Sequence, residues 1–332
     1  MKCVKVPLKE LNNTRIKLME NNQMNMEFKI KAENEFGYIP ITEDVEGYEI
    51  VDIELEEMNR FPKNFAQLLE NELSSAEIEE LRTSFDTIGD IVILEIPDDL
   101  EPKKDIIGDA ALKFTKRKAI YMKKSAIKGT TRVRDLEFLA GVDDPVTIHK
   151  EHGARLKLNV REVYFSPRLA TERKRVSESV KDGEKILDMF CGIGPFPIVI
   201  AKNHDVNITA VDINKSAIRY LNENIELNKL KGNIKTYCGD ISAVSEELKT
   251  KYDRIIMNLP GLAYTFLDVA FNLIEDGGII NYYEFSDSYE QGIKRLNDAA
   301  ENARKKIEIV NTRKVKSTSP GEWHVAIDCK VI

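Results

Sequence analysis

Three acidic side chains follow three consecutive predicted strands in the second half of the chain. Asp188 leads into a turn that contains Gly192 and Gly194. Asp212 ends the next predicted strand, and Asp240 follows the third. Glycines let a backbone approach a ligand closely, and doubly wound sheets bind cofactors at the carboxyl ends of their strands. The spacing therefore indicates a cofactor that contains a nucleoside.

Two details of this turn favour S-adenosylmethionine over a nicotinamide dinucleotide. Pro197 stands where the dinucleotide fingerprint has its third glycine, which removes the usual fit of a pyrophosphate to the helix. Asp188 is placed to meet a cationic amino-acid group and poorly placed for a pyrophosphate. Asp212 would then bind the ribose, and Asp240 the adenine amino group. The alternative is an α/β domain without a nucleotide, in which these aspartates only cap helices.

The fourth predicted strand of this half ends in Asn258, Leu259 and Pro260. Many amino-group methyltransferases carry a polar residue and prolines at this place, where an amide and a backbone carbonyl hold the acceptor nitrogen beside the methyl group. With one proline and no aromatic residue, the motif here favours a ring nitrogen as the acceptor. Asn258 and Pro260 are therefore candidate catalytic residues.

Charge is segregated along the 332 residues, although the net charge is only −7. Residues 1–110 carry 12 basic and 26 acidic side chains, residues 111–175 carry 17 and 7, and residues 176–332 carry 20 and 23. A polyanion responds to the local potential, so the middle segment can bind phosphate, although a charge run is usually only a solvated face. Its acid-free basic tract contains Lys113, Lys116, Arg117, Lys118, Lys123, Lys124, Lys128, Arg132 and Arg134.

Strands alternate with helices in the second half of the chain, and two strands with no helix between them close it. This order predicts right-handed crossovers, a mostly parallel sheet and an antiparallel edge strand, as in S-adenosylmethionine-dependent methyltransferases. Before it we expect a small α/β unit, a single buried strand over 88–96, a helix over 106–116 and a hairpin over 145–166. The predicted fold is α/β with three domains, over residues 1–61, 62–165 and 166–332.

The cysteines and histidines exclude several classes of protein. The chain has four of each, with no CxxC pair and no HExxH, so we expect neither a disulfide scaffold nor a metal site. No apolar run approaches the ~18 residues that span a bilayer, and charged residues interrupt the amino terminus before a signal peptide could form. We therefore expect a cytoplasmic protein with no membrane partner.

Several specific motifs occur in order along the chain: Arg132–Glu137, Thr147–Glu151, Tyr164–Leu169 followed by Glu172 and Arg173, Asp188–Phe196, and Asn258–Pro260. Together they resemble the Rossmann-type tRNA guanine-37 N1-methyltransferases of archaea and eukaryotes, and the resemblance covers essentially the whole chain. One departure is Ala170-Thr171, where family members have small residues such as glycine. The resemblance implies a Rossmann-like class I methyltransferase domain, preceded by two smaller α/β or α+β domains that bind RNA.

The activity implied by the resemblance is transfer of the methyl group of S-adenosylmethionine to N1 of the guanosine 3′ of the tRNA anticodon. This nitrogen carries a proton at neutral pH, so methylation needs a base for that proton and a cation for the charge on O6. In the family, a glutamate matching Glu172 is the base and an arginine matching Arg132 stabilises O6. Taken without the family, a glutamate favoured by the helix dipole and a solvated arginine are equally good interpretations.

The motifs also indicate residues that bind the cofactor and the RNA. The cofactor-binding candidates are Arg173, Asp188, Gly192, Asp212 with Ile213, Asp240 with Ile241, and Asn258. Tyr164 can stack on an extruded base, or it is simply a half-buried strand tyrosine. The candidate phosphate contacts are Lys116, Arg117, Lys118, Lys123, Lys124 and Arg134.

A wybutosine-pathway transferase, which moves the aminocarboxypropyl group or methylates a precursor at the same tRNA position, is the main alternative. A non-catalytic tRNA-binding protein is disfavoured by the intact acidic residues, and a small-molecule methyltransferase by the 175 preceding, partly basic residues. We expect tRNA as the partner, no DNA, and a monomer.

Overall fold

The structure of the protein is a computed structural model that describes residues 1–58, 62–125 and 133–332. The chain divides into two compact units, Met1–Lys63 and Asn64–Ile332. The division of the second unit near residue 165 stays a prediction. Within the described ranges, no helix is both long enough and apolar enough to cross a membrane.

The first unit is an antiparallel sheet with one helix packed against it. Its elements are β1 (Lys2–Pro7), α1 (Leu11–Glu20), β2 (Lys31–Glu33), β3 (Phe36–Pro40) and β4 (Glu49–Asp52). The strand order is β2-β3-β1-β4. Val4, Val6, Leu18 and Ile39 form its small core, in agreement with the expected α/β unit.

The second unit begins with a four-stranded mixed sheet in the order β5-β6-β7-β8. Its elements are α2 (Ser75–Glu80), β5 (Asp86–Ile88), β6 (Ile91–Leu94), α3 (Lys104–Thr115), β7 (Ala119–Lys123) and β8 (Leu136–Gly141). The expectation of one strand over 88–96 is wrong, because the chain turns at Gly89 and Asp90 between two antiparallel strands. Isoleucines on both sides of this turn made the run read as one buried strand.

A hairpin connects this sheet to the next. Strands β9 (Val146–Glu151) and β10 (Ala154–Asn159) pair antiparallel around His152 and Gly153, both of which have positive φ, as the sequence predicted. The side chain of Asn224 accepts from the N–H of Lys157 at 2.6 Å and donates to the carbonyl oxygens of Lys157 and Ile193, both at 3.1 Å. These bonds fix the hairpin on the sheet that follows.

The rest of the second unit is a seven-stranded sheet with helices on both faces. Its elements are α4 (Ala170–Ser179), β11 (Lys185–Asp188), α5 (Pro195–Asn203), β12 (Asn207–Asp212), α6 (Lys215–Leu227), β13 (Asn233–Cys238), α7 (Ile241–Glu247), β14 (Tyr252–Met257), α8 (Leu267–Leu273), β15 (Ile274–Ser286), α9 (Glu290–Asn302), β16 (Ile307–Ser319) and β17 (Glu322–Val331). The strand order is β13-β12-β11-β14-β15-β17-β16, and β17 runs opposite to the other six strands of this sheet. The antiparallel strand therefore lies beside the edge strand β16 and not at the edge itself, where the sequence predicted it. The predicted Rossmann-like, mostly parallel sheet is confirmed.

Burial of both faces explains the sequence of the central strands. Ile186 and Leu187 in β11 and Ile255 and Ile256 in β14 are fully buried, which is why these strands read as continuous apolar runs. Parallel strands end at a common edge, so the polar residues that terminate β11, β12, β13 and β14 are brought to one side of the sheet.

The turn after β11 is close to helix α6. Gly194 has a φ of +81°, and a Cβ at this position would lie 2.1 Å from Cδ1 of the fully buried Leu221. We expect Gly194→Ala to lower the free energy of unfolding by about 2 kcal/mol or more, from backbone strain and overpacking together. Urea denaturation measures this loss.

The matched control is Gly277→Ala. Gly277 has a φ of +84°, but no atom lies within 4 Å of the added Cβ. This variant should lose only the backbone part, about 1 kcal/mol. Equal losses in the two variants would contradict the close packing of Gly194 against Leu221.

Candidate active site

A cavity opens at the carboxyl ends of β11 to β14, at the edge where the sequence predicts a cofactor. Its empty volume is about 1220 Å³, part of it open to solvent. The wall comes from the segment before α4, α4 itself, the turn after β11, the ends of β12 and β13, and the segment after β14. It brings together the predicted residues Tyr164, Arg173, Gly192, Asp212, Ile213, Asp240, Ile241, Asn258 and Pro260.

Asp212 is held by backbone groups at the end of β12. Its Oδ2 accepts from the N–H of Gly192 at 2.7 Å, and its Oδ1 accepts from the N–H of Asn214 at 2.8 Å. Burial raises the pKa of Asp212 above its usual value, although both bonds oppose this. Each carboxylate oxygen keeps acceptor capacity for a ligand, which suits the paired hydroxyls of a ribose.

The adjoining part of the wall combines a carboxylate with apolar side chains. Asp240 is exposed and begins helix α7, and its Oδ1 accepts from the N–H of Ser242 at 2.8 Å. Ile213 is 43% exposed, whereas Ile241 is buried. An exposed isoleucine on a cavity wall offers contact area to a flat apolar ring, and Asp240 can accept from an amino group beside it.

Asn258 supplies an acceptor that the described chain does not satisfy. Its Oδ1 is buried and has no hydrogen-bond partner among the described residues. Such a group costs about 1–3 kcal/mol unless a ligand donates to it. Pro260 follows on the same wall. Asn258 is therefore suited to hold an N–H group of a bound molecule.

Arg173 adds a buried cation to this wall. Its Nε and Nη2 donate to Oε1 and Oε2 of Glu151 at 2.5 and 2.6 Å, and Nη2 also donates to the carbonyl oxygen of Ser166 at 3.1 Å. The guanidinium lies over the ring of Phe165. S-adenosylmethionine carries a carboxylate, an ammonium group and ribose hydroxyls, so the residues on this wall fit that cofactor.

Asp188 lies behind the wall. It is 1% exposed and is not among the lining residues. Its Oδ1 accepts from the N–H of Phe190 at 3.2 Å, whereas Oδ2 has no partner among the described residues. Burial raises the pKa of Asp188 to about 8, with a smaller contribution from Asp212. The sequence predicts that Asp188 contacts the cofactor, but the structure places this residue behind the cavity wall.

Glu172 also lies away from the cavity. It is 1% exposed, and its carboxylate accepts from Nη2 of Arg175 at 2.7 Å and from the hydroxyl of Tyr283 at 2.8 Å. Arg175 in turn donates to Asp328 at 2.6 Å. Burial lowers the pKa of Arg175, but the two carboxylates outweigh burial and raise it above the usual value. The structure separates the side chains of Glu172 and Arg173, although these residues are adjacent.

A second, larger cavity adjoins the first. The two share five lining residues: Tyr164, Phe165, Ser166, Phe285 and Lys316. Lys123, Lys124 and Arg134 of the predicted RNA-binding set line the second cavity. Arg132 and Lys128 lie outside the described residues, so the structure does not place the proposed O6-stabilising group.

The fold brings acidic residues to the basic tract. Lys118 donates to Asp144 at 2.5 Å, Lys123 to Glu95 at 3.4 Å, and Lys124 contacts Glu101. Burial lowers the pKa of Lys123. The tract lacks acids in sequence, but its neighbours in space are mixed. Exposed Lys116 and Arg117 line neither cavity.

Several lining residues were missed from the sequence. The second cavity also has Arg82, Arg168 and Lys316, which are basic residues outside the basic tract. Phe285 and His324 belong to apolar strands that read as core, so their pattern gave no functional signal. Glu151, which holds Arg173, lies in the Thr147–Glu151 motif, and the motif was the only available indication.

The buried carboxyl of Asp188 predicts a pH dependence of stability. Between about pH 4 and pH 8 the folded protein keeps a proton that the unfolded chain has lost, so stability falls as pH rises. Asp188→Asn removes this carboxyl and the pH dependence of stability that comes from it. We therefore expect the variant to gain stability relative to the original protein between about pH 5 and pH 8, measured by urea denaturation. A difference independent of pH would contradict a protonated Asp188.

Three family models match consecutive parts of the chain. Residues 3–49 match the tRNA methyltransferase 5 N-terminal domain, residues 65–144 the TYW2 N-terminal domain, and residues 147–310 the TRM5/TYW2 methyltransferase domain. The chain is 43% identical to the tRNA (guanine(37)-N(1))-methyltransferase Trm5b of Pyrococcus abyssi, over 99% of this chain and 98% of the relative.

Solved structures agree with this likeness. The crystal structure of Trm5b from Pyrococcus abyssi superposes with a TM-score of 0.87 at 43% identity, over 100% of this chain and 99% of that one. The complex of aTrm5 and tRNALeu gives a TM-score of 0.84 at 37% identity, over 100% of both chains. TYW2 of M. jannaschii in complex with AdoMet gives 0.58 at 31% identity, over 75% of this chain and 99% of that one.

The likeness to Trm5b extends over nearly the full length of both chains. The cofactor of this group of enzymes is S-adenosylmethionine, in agreement with the acidic edge described above. The chain belongs to the archaeal and eukaryotic Rossmann-type tRNA (guanine-37-N1)-methyltransferase family.

Proposed function

We propose that this protein is a tRNA (guanine(37)-N(1))-methyltransferase, which transfers a methyl group from S-adenosylmethionine to N1 of the guanosine 3′ of the anticodon. The observation that carries this function is the pair of adjoining cavities. The first cavity has acidic residues at the places where a nucleoside-containing cofactor would bind. The second is lined by basic residues, and Tyr164 lies on the wall between the two. A base held at that wall can reach a methyl donor in the first cavity.

The partner is tRNA, and we propose that it is bound by a monomer in the cytoplasm. We further propose three domains, over residues 1–61, 62–165 and 166–332. The first recognises the tRNA outside the reacting nucleotide, and the second binds RNA and carries part of the active site. The second cavity receives the anticodon region. Its basic residues contact phosphates, and Tyr164 stacks on the extruded guanine.

We propose that the first cavity binds the cofactor through the residues on its wall. Asp212 accepts from the ribose, Asp240 accepts from the adenine amino group, and Ile213 and Ile241 flank the ring. Arg173 faces the carboxylate of the methionine part, because the two groups have opposite charges. When bound, the cofactor supplies an electrophilic methyl group on a sulfonium.

Methylation at N1 requires that a proton leave the guanine. We propose that Glu172 accepts this proton as the N1 lone pair forms the new bond, while Arg132 stabilises the charge on O6. Asn258 and the backbone before Pro260 orient the base. The carboxylate of Glu172 is engaged by Arg175 and Tyr283, so proton transfer requires these contacts to be exchanged when tRNA binds.

The segment before Glu172 contacts the second cavity. Glu172 is the third residue of α4. The short helical segment Pro167–Leu169 precedes it and includes Arg168, which is exposed and pairs with Asp86 at 2.6 Å in the second cavity. RNA bound in that cavity competes for Arg168, which gives tRNA a direct route to the position of Glu172.

One alternative is supported by the comparisons. Residues 65–144 match the TYW2 N-terminal domain, and TYW2 has the same fold in its methyltransferase part. A TYW2-type enzyme would transfer the aminocarboxypropyl group of the same cofactor. Two observations favour methyl transfer. Residues 3–49 match the tRNA methyltransferase 5 N-terminal domain, and the likeness to the TYW2 structure covers only 75% of this chain.

Glu172→Gln tests the proposed base. The amide cannot take up the N1 proton, so we expect the single-turnover methyl-transfer rate to fall about 100-fold or more, with cofactor affinity nearly unchanged. Arg132→Ala should act in the same direction. The matched control is Glu178→Gln on the exposed face of the same helix, where the side chain is 66% exposed. Unchanged rates in Glu172→Gln would remove this residue from the chemistry.

The transferred group and the target atom are tested together by mass spectrometry. A tRNA transcript is incubated with isotopically labelled S-adenosylmethionine, digested to nucleosides and analysed. We expect 1-methylguanosine, and no product when adenosine replaces guanosine 37. An aminocarboxypropyl adduct would favour the TYW2-type alternative. Equal labelling of the two transcripts would contradict the assigned target.

A further inference from the structure

Glu151 is a buried carboxylate that the proposed mechanism does not use. It is 8% exposed and binds the Nε and Nη2 edge of Arg173 through both oxygens. Burial opposes ionisation of Glu151, but the neighbouring imidazole of His149 and the hydrogen bonds and charge of Arg173 outweigh it and hold the pKa of Glu151 below its usual range. A fully charged, two-bond contact of this kind fixes both position and orientation.

The bonds to Arg173 determine which of its donors remain. A guanidinium has five N–H groups. The bonds to Glu151 and to the carbonyl oxygen of Ser166 use the Nε–H and both Nη2–H groups. The two Nη1–H groups are therefore the donors that remain for a ligand. Arg173 lines the cavity although it is only 1% exposed. Rotation of the guanidinium away from Glu151 would point the Nη1–H groups elsewhere.

His149 stands behind Glu151. Its Nδ1 lies 3.2 Å from the backbone nitrogen of Gly89, and its Nε2 lies 3.7 Å from Oε2 of Glu151. A backbone N–H can only donate, so Nδ1 is the acceptor and the ring proton sits on Nε2, facing Glu151. The imidazole therefore joins Glu151 to the turn between β5 and β6.

That turn is fixed against β9 by further contacts. The hydroxyl of Thr147 donates to Oδ1 of Asp90 at 2.5 Å, and the N–H of Asp90 donates to Thr147 at 3.2 Å. A Cβ on Gly89 would lie 2.1 Å from Oγ1 of Thr147, so no larger residue fits without displacement. The sheet that lines the second cavity is thus in direct contact with the strand that carries His149 and Glu151.

We propose that Glu151 and His149 are positioning residues for cofactor binding, which hold Arg173 at the wall of the first cavity and tie its position to the β5–β6 turn. This inference rests on the proposed function, because it assigns Arg173 to the cofactor. Neither residue lines the first cavity, so both act through Arg173. The Thr147–Glu151 motif gains a physical role in this way.

The test is a double-mutant cycle on the full chain. Affinity for S-adenosylhomocysteine is measured by isothermal titration calorimetry for the original protein, Glu151→Gln, Arg173→Met and the double variant. We expect Glu151→Gln to weaken binding roughly tenfold, a loss of the size expected for one misaligned charged contact. In the Arg173→Met background the same change should have no further effect, because a residue that acts only through Arg173 cannot contribute without it.

Two further variants complete the design. His149→Phe keeps a ring against Phe165 and leaves the ion pair intact, and it should weaken binding in the same direction by a smaller factor. It also keeps the proposal testable if Glu151→Gln does not fold, which circular dichroism reports. Glu178→Gln is the control and should bind normally. With saturating cofactor, the methyl-transfer rate of Glu151→Gln should return towards that of the original protein, since positioning affects KM more than kcat.

Two results would overturn the proposal. One is a folded Glu151→Gln that binds S-adenosylhomocysteine as tightly as the original protein. The other is a cycle in which the losses of Glu151→Gln and Arg173→Met simply add. Both are independent of tRNA, so they differ from a failure of the proposed function, in which the original protein binds the cofactor product but does not methylate guanosine 37.

Discussion

Consecutive side chains on an α-helix point about 100° apart, and this constraint governs the active site. Glu172 and Arg173 are adjacent in α4, so their side chains leave the helix in different directions. Arg173 lines the cavity, whereas Glu172 is turned towards β15, where the hydroxyl of Tyr283 binds it together with Arg175 of the same helix. A buried carboxylate is tolerated only with such partners, since an unpaired one would be strongly destabilising. The resting position of Glu172 is therefore a stable one, and catalysis has to draw it from there.

At the edge of the sheet that forms the first cavity, burial opposes the negative charge of two aspartates. Asp188 and Asp212 lie at the ends of neighbouring strands, and burial raises the pKa of both. The backbone N–H groups of Gly192 and Asn214 hold Asp212 with its carboxylate on the wall. Asp188 has one such bond and lies behind the turn. The two aspartates, alike in sequence, thus have different tasks: one is available to a ligand, and the other is part of the support.

Sequence patterns predicted the sheet and its acidic edge because both follow from strand order. Parallel strands share an edge, so Asp212, Asp240 and Asn258 could be placed together without coordinates. The direction of the Glu172 side chain could not be predicted, because its partner Tyr283 lies 111 residues away along the chain. The pairing of Lys118 with Asp144 was likewise invisible in an acid-free tract. Local patterns report which element a residue occupies, and long-range contacts decide what its side chain meets.

One structural feature links the two ligands of this enzyme. Tyr164, Phe165, Ser166, Phe285 and Lys316 belong to both cavities. Any shift of these residues on binding one molecule alters the surface offered to the other. Equilibrium linkage then makes the effect mutual. The factor by which bound tRNA changes the affinity for the cofactor equals the factor by which bound cofactor changes the affinity for tRNA. Binding of the cofactor and binding of the tRNA are therefore coupled through one shared wall.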